Sequence, residues 1–236
     1  TFVESLFTQT IESSAGAVGI WQLMPFTASP HLAIHDLLDE RKDPILATHV
    51  AARILFDNYK MFQNWPLAIT AYNFGHNGLM RMTRSAQTSQ LEKLINNNKY
   101  ERWGFAGKNF YSEFIAVART FKKTQQTKST SSDREFQVIA LTHSMNYQKI
   151  IRELKISLKE FRFWNPSLNE EFFQNAQNSF PKGFHIRLPE ALLQPAVQRK
   201  ICEDIVFAQF FPKVIKEPFR FSKLPITVTQ KLASLE

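Results

Sequence analysis

Asp43-Pro-Ile-Leu-Ala-Thr-His-Val-Ala-Ala-Arg-Ile-Leu-Phe-Asp-Asn-Tyr-Lys-Met-Phe62 is the stretch whose reading decides the fold. Asp43 can cap a helix, and Pro44 suits the first turn, where its missing N–H costs nothing. Beyond them Ala47, Ala51, Ile54, Leu55, Tyr59 and Phe62 recur at helical spacing and share one face. Working outward, a second helix runs from Pro66 through Ala68, Ile69 and Tyr72 until Gly75 stops it. A third carries Phe110, Phe114, Val117 and Phe121 as one stripe, which reads as core rather than as a ligand box. Residues 1–123 are therefore expected to be mainly α.

The next stretch, 124–134, has no apolar member and reads as a linker. After it the period changes. Phe136, Val138 and Ala140 alternate like a strand, and Tyr147, Ile150, Ile151 and Leu154 return to helical spacing. Ser157-Leu-Lys-Glu160 is a capping box for a further short helix, and Phe184, Ile186 and Leu188 alternate again. Residues 135–190 thus read as a small α+β module of strand, helix, helix, strand. Residues 191–236 read as a C-terminal helix, around Gln198–Phe207, followed by an extended tail.

The chain has 236 residues, 44% hydrophobic and 21% charged, a mix that belongs to folded globular proteins and not to disordered ones. No apolar run approaches the roughly 18 residues of a membrane helix. Thr1 is followed by Phe-Val-Glu, without a basic stretch or an apolar targeting core, as at the start of a mature form or a fragment. One cysteine, Cys202, excludes an intramolecular disulfide framework and reads as a small buried hydrophobe. The net charge of +8 suits an acidic polymer such as nucleic acid, an anionic lipid surface or a cell-wall glycan. It is spread over both halves without an aromatic-laced basic run, which speaks against nucleic acid. Of only 7 glycines, six fall before residue 108, where tight turns or close approaches are expected.

Three segments of the first half carry candidate chemistry. Val3-Glu4-Ser5 holds an acid among apolar neighbours, a setting that raises a carboxyl pKa and suits a general acid. Gly16-Ala-Val-Gly19-Ile-Trp-Gln22-Leu-Met-Pro25 is polar only at Gln22. Ala71-Tyr72-Asn73-Phe-Gly75 presents a Tyr and an Asn at a helix end. His31 and His35, four apart on an expected helix, could share a face, but no third ligand accompanies them and no metal is expected.

Together these segments resemble the soluble lytic transglycosylase (goose-lysozyme-like) superfamily over about residues 2–121. The resemblance is carried by Glu4-Ser5, Ser13 through Ala28, Asp39-Glu-Arg-Lys-Asp-Pro44 and Ala68 through Gly75. The Trp of Gly19-Ile-Trp-Gln22, the Asp39 block and Asn109-Phe-Tyr-Ser-Glu-Phe114 narrow it to the branch of membrane-bound lytic murein transglycosylase D. It implies a lysozyme-like helical catalytic domain in which Glu4 is the single catalytic acid. Ser5 would hold that region beside the substrate, Ser13 and Gln22 would contact substrate, and Met24 would form an apolar wall. The Tyr72 hydroxyl would stand near the carboxyl with Asn73 beside it. Asp39, Glu40 and Arg41 look structural. Where the family has a small residue after Glu-Ser and then Asn-Pro, this chain has Leu6, Thr8 and Gln9. The family also has a helix leading into the acid; with three residues before Glu4, the expectation is either that the true N-terminus is absent from this sequence or that the acid sits at a frayed, solvated end.

The implied reaction is cleavage of the β-1,4 bond between N-acetylmuramic acid and N-acetylglucosamine, giving 1,6-anhydromuramic ends without a cofactor. The alternatives are a hydrolytic lysozyme of the same fold and a non-catalytic murein-binding protein. The implied partner is the peptidoglycan glycan strand, bound by a monomer. The implied place is the periplasm or cell envelope of a bacterium, with an outer-membrane anchor upstream of this chain. Asn165-Pro166 and Gly183-Phe-His-Ile-Arg-Leu-Pro189 loosely resemble a LysM module, although Thr142-His-Ser replaces its usual turn and 169–180 is long. Glycan binding and simple packing on the helical domain both remain open for it.

Overall fold

The computed structural model describes residues 2–96, 103–124, 136–141, 143–189, 192 and 205–207. The chain opens with two short helices, α1 (Phe2–Ser5) and α2 (Pro25–Ala28), and a small hairpin of β1 (Ile34–His35) and β2 (Leu38–Asp39). A 3-10 turn at Glu40–Lys42 then leads into α3 (Pro44–Phe62). As expected, Asp43 caps α3, its Oδ1 accepting the Ile45 and Leu46 amides, and Ala47, Val50 and Ala51 are buried. The helix α4 (Trp65–Phe74) ends at Gly75, whose φ of 90° is open to glycine and strained for other residues. The helices α5 (His76–Ala86), α6 (Leu91–Ile95) and α7 (Phe105–Thr124) complete a mainly-α region.

Two modest clusters form the core here. Leu67, Leu79, Leu94 and Trp103 pack between α4 and α7, and Leu23, Ala28, Leu32, Ala47 and Val50 pack under the first loops. The Phe stripe of α7 is only partly core: Phe110 is buried, whereas Phe114 and Phe121 stand exposed. Phe121 meets Phe7 edge-on at 6.3 Å near the acid-bearing segment.

The second region is built on β3 (Phe136–Leu141), β4 (Met145–Asn146), α8 (Tyr147–Leu154), α9 (Leu158–Trp164), α10 (Glu170–Gln174), β5 (Ser179–Phe180), β6 (His185–Pro189) and β7 (Ile205–Phe207). Ser157 caps α9 by accepting the Glu160 amide. The long 169–180 stretch is explained by α10 and by β5, which pairs with β4 through Met145 and Phe180. The order is thus richer than strand, helix, helix, strand. The strands run antiparallel in the order β6-β3-β7, with Ile139 opposite Ile186.

Two expectations are corrected. Residues 205–207 are a strand, pairing Ala140 with Val206, so the expected helix around Gln198–Phe207 does not reach its proposed end. The apolar run Ile205-Val-Phe207 fits an edge strand, and β-branched residues favour it. His31 and His35 do not share a helix either: His31 lies in a turn and His35 in β1, because Pro30 and the following hairpin interrupt the helix. Cys202, most of the expected linker 124–134 and nearly all of 191–236 lie outside the described residues.

The two regions are docked. Leu38 of β2 belongs to the buried core of the α+β region, and it bridges Leu168. The Asp39 amide donates to the Ser167 carbonyl at 2.7 Å. Among the described residues no helix is long and apolar enough to cross a membrane.

Candidate active site

The site is built on the loop 13–24, whose backbone is folded on itself. Val18 and Leu23 exchange amide bonds at 3.2 and 3.0 Å, and the Gly19 amide donates to Ile11. Gly19 is required twice. Its φ is +80°, and a Cβ there would meet the Arg41 carbonyl oxygen at 2.1 Å. Arg41 is the keystone beneath this loop. Its Nε and Nη2 bind Asp39 at 3.0 and 2.7 Å, while Nη1 donates to the Gly16 and Leu23 carbonyls at 2.8 and 3.0 Å. Both partners are buried, so a fully hydrogen-bonded fork is needed to offset their desolvation. Asp39 and Arg41 are structural, as expected from the sequence. Glu40 is too: its carboxylate accepts the Ala33 amide at 2.7 Å, although burial raises its pKa.

Two ties bring expected site residues to this loop, and a third ties the loop to α3. The Ser5 hydroxyl is buried and donates to the Ile20 carbonyl at 2.8 Å, which anchors the residue next to Glu4. The Tyr72 hydroxyl donates to the Trp21 carbonyl at 2.8 Å, and the two rings meet edge-on at 6.3 Å. The Trp21 indole N–H in turn donates to Thr48 of α3 at 2.7 Å. Trp21 is thus a positioning residue that reading by motif passes over as a mere marker.

Glu4 is half-buried, not frayed into solvent. Burial pushes its carboxyl from the ordinary 4.5 up to about 6. Tyr72 is pushed well above the ordinary tyrosine value, by burial first and by the charge of Glu4 second. The tyrosine is close enough to feel Glu4, and its own proton is committed to the Trp21 carbonyl. Among the described residues no second carboxylate shifts Glu4. In a retaining pair about 5–5.5 Å apart, the partner acid would dominate its titration.

The remaining expected residues lie on the loop 13–24 and on α4. Ser13 Oγ accepts the Ala17 amide at 3.0 Å, closing the loop's first turn. Gln22, at a left-handed φ of 46°, donates its side-chain amide to the Gly19 and Ile11 carbonyls at 2.9 and 3.3 Å. Met24 is exposed beside the still more open Phe26, and Asn73 is exposed on α4 next to Tyr72. Glu12 is exposed. Among the described residues no cluster of His, Cys, Asp and Glu could hold a metal ion.

The site thus sets a half-buried acid on a short helix beside a glycine-turned loop, with a tyrosine-bearing helix tied to that loop. Residues 1–95 match the family described as Transglycosylase SLT domain, and the part of the chain that carries this site is mainly α. Over 85 residues the chain is 34% identical to Membrane-bound lytic murein transglycosylase D of Escherichia coli (strain K12), an alignment covering 35% of this chain and 19% of the relative. The protein of that name from Escherichia coli O6:H1 gives the same values. The chain spans about a fifth of the length of these curated relatives.

Proposed function

We propose that this chain is a peptidoglycan lytic transglycosylase in which Glu4 acts first as acid and then as base. The observation that carries the proposal is a half-buried carboxyl whose neighbour Ser5 is anchored to the loop 13–24, the same loop that takes the Tyr72 hydroxyl, with no second carboxylate acting on it among the described residues. Most glycosidases need a second carboxylate to activate water or to form a covalent intermediate. With one acid, a nucleophile supplied by the substrate itself completes the reaction without a second carboxylate.

Protonated Glu4 would give its proton to the glycosidic oxygen between N-acetylmuramic acid and N-acetylglucosamine as the bond to C1 breaks, with the substrate's acetamido group assisting. The Glu4 carboxylate would then take the proton of the muramic O6 hydroxyl as O6 attacks C1. Glu4 returns to its starting form, the 1,6-anhydro ring closes and no water is consumed. Holding O6 beside C1 replaces a bimolecular step with an intramolecular one, a large effective concentration. Ser13, Gln22, Met24 and Asn73 would form the wall along the sugar strand. A place in the bacterial cell envelope follows from the substrate.

The α+β region, read as LysM-like over 135–190, would offer glycan its α8–α9 face, where Lys149, Arg152, Lys155 and Lys159 are exposed. Digestion of purified sacculi in heavy-oxygen water tests the main reading. Anhydromuramic ends without the heavy isotope are expected. Reducing ends carrying heavy oxygen would establish hydrolysis instead, and retention on sacculi with no release would establish a binding protein.

A further inference from the structure

Arg187 lies on β6 between Ile186 and Leu188, whose side chains are buried in the core of the α+β region. Strand alternation puts Arg187 on the opposite face, where solvent is expected. It is buried nonetheless, because that face is docked on the helical region and Nη1 meets Asp43 Oδ2 at 2.6 Å. Its position is fixed at the backbone as well. Asn165 accepts the Arg187 amide at 2.8 Å and donates to the Arg187 carbonyl at 2.9 Å. Asp43 serves both regions, since one carboxylate oxygen caps α3 and the other takes Arg187.

Asn169 makes a second clamp, far from the first in sequence. Its amide donates to the Leu37 carbonyl at 3.1 Å, and its side-chain NH2 donates to the Asp36 and His35 carbonyls at 3.0 and 3.3 Å. Its side-chain oxygen accepts Lys42 Nζ at 2.6 Å. With the Leu38–Leu168 bridge and the Asp39–Ser167 bond, these contacts grip both sides of the segment 35–43. Arg41 stands in the middle of that segment and holds the Gly16 and Leu23 carbonyls of the active-site loop.

We infer that the α+β region is a brace for the active-site loop, with Arg187 and Asn169 as positioning residues that act through the 35–43 segment and Arg41. Hydrogen bonds and ion pairs from β6 and the start of α10 reach the 35–43 segment, whose backbone carries the path on to Arg41 and the loop that anchors Ser5 and Tyr72. Neither Arg187 nor Asn169 touches the acid. Their effect is to keep Asp39 and Arg41 in one arrangement, and with them the Val18–Leu23 turn. The turnover arm of its test rests on the proposed reaction; the exchange arm does not.

The test compares the full chain with Asn169→Ala, Arg187→Met and Arg187→Lys. Amide exchange is read at Val18 and Leu23, and at Leu79 and Met82 of α5 as a reference remote from the clamp. Asn169→Ala and Arg187→Met should speed exchange at Val18 and Leu23 at least about 10-fold and leave α5 unchanged, with Arg187→Lys restoring much of the protection. Turnover on sacculi should fall roughly 2- to 30-fold in the first two variants, the range seen for mutations that couple remote sites. Unchanged exchange in the loop, or exchange that rises only in step with α5, overturns the brace, since a purely stabilising contact acts on both alike. Should Arg187→Met not fold, Asn169→Ala decides. Should the parent release no anhydro product, the proposed function fails while the exchange arm still judges the brace.

Discussion

The helical region and the α+β region hold themselves together by different means. The α+β region has one continuous apolar core, in which Phe161, Phe172, Phe180 and Phe184 are joined by ring contacts. Phe180 stacks on Phe172 and on Phe184 at 4.8 Å each. The helical region divides its apolar core into smaller clusters, and it fixes its site with polar ties to backbone carbonyls: Ser5 to Ile20, Tyr72 to Trp21 and Arg41 to Gly16 and Leu23. Apolar packing is tolerant of direction, whereas a hydrogen bond to one carbonyl fixes a position to a few tenths of an ångström. The α+β region has polar ties as well, such as Asn165 to the Phe161 and Arg187 carbonyls, but they accompany one continuous core, whereas the proposed catalytic groups of the helical region are placed by such ties between small clusters.

The largest expected effect strikes only the site. Glu4→Gln should lower anhydromuramic release at least about 10³-fold, measured by mass spectrometry of the released fragments, because neither proton transfer has a donor or acceptor left. It should not weaken the fold. In the folded chain Glu4 titrates near 6 against an ordinary 4.5, so the folded state holds more protons than the unfolded one between those values. Stability therefore falls as pH rises through that window, by at most about 2 kcal/mol, less for a group still partly solvated. Gln cannot ionise, so the variant should match the parent near pH 4 and exceed it by up to that amount at pH 7 in urea melts. Parent-like release in the variant would remove Glu4 from its assigned role.

Next in size is a pair of substitutions that weigh the two cores against each other. Phe180→Ala should cost about 3–5 kcal/mol, the usual range for emptying a buried Phe site. Gly19→Ala should cost about 3 kcal/mol, since its methyl carbon would stand 2.1 Å from the Arg41 carbonyl on a backbone at positive φ. If the regions are one mechanical unit, both changes shift a single unfolding transition. Two separate transitions, one moved by each variant, would show that docking through Leu38 and Arg187 adds little.

The sequence shows much of the first half and less of the second. Asp43-Pro44 and Gly75 announce their helix ends because capping is local chemistry, and Glu4 in apolar company announces an acid for the same reason. Burial of Arg187 is not legible, because strand alternation gives the face a residue takes and not what lies against that face. The clamp made by Asn169 is hidden likewise: its side-chain contacts are with residues 35–42, more than a hundred positions away. The exposure of Phe114 and Phe121 has a similar cause. A helical stripe shows which side of α7 is apolar, but the supply of elements to cover it is a property of the whole chain.

The smallest expected effect sits beside the acid. Leu6 and Phe7 take left-handed φ angles of 50° and 62°, directly after Glu4-Ser5. A residue with a Cβ costs roughly 1–2 kcal/mol there, and Leu6 recovers little of it by packing, since it is exposed. Position 6 is also where the related family carries a small residue. Leu6→Gly should therefore relieve the strain at the cost of some unfolded-state entropy, for a net gain of about 0.5–1 kcal/mol in urea unfolding. The change leaves the Ser5–Ile20 tie in place, so turnover should stay within about 2-fold of the parent. A loss of stability would mean that the Leu6 side chain holds the acid-bearing turn by contact, and polar ties alone would then no longer account for how this region is fixed. A gain with unchanged turnover would sharpen the contrast between the two regions, because the strain next to Glu4 would be shown to serve neither fold nor chemistry.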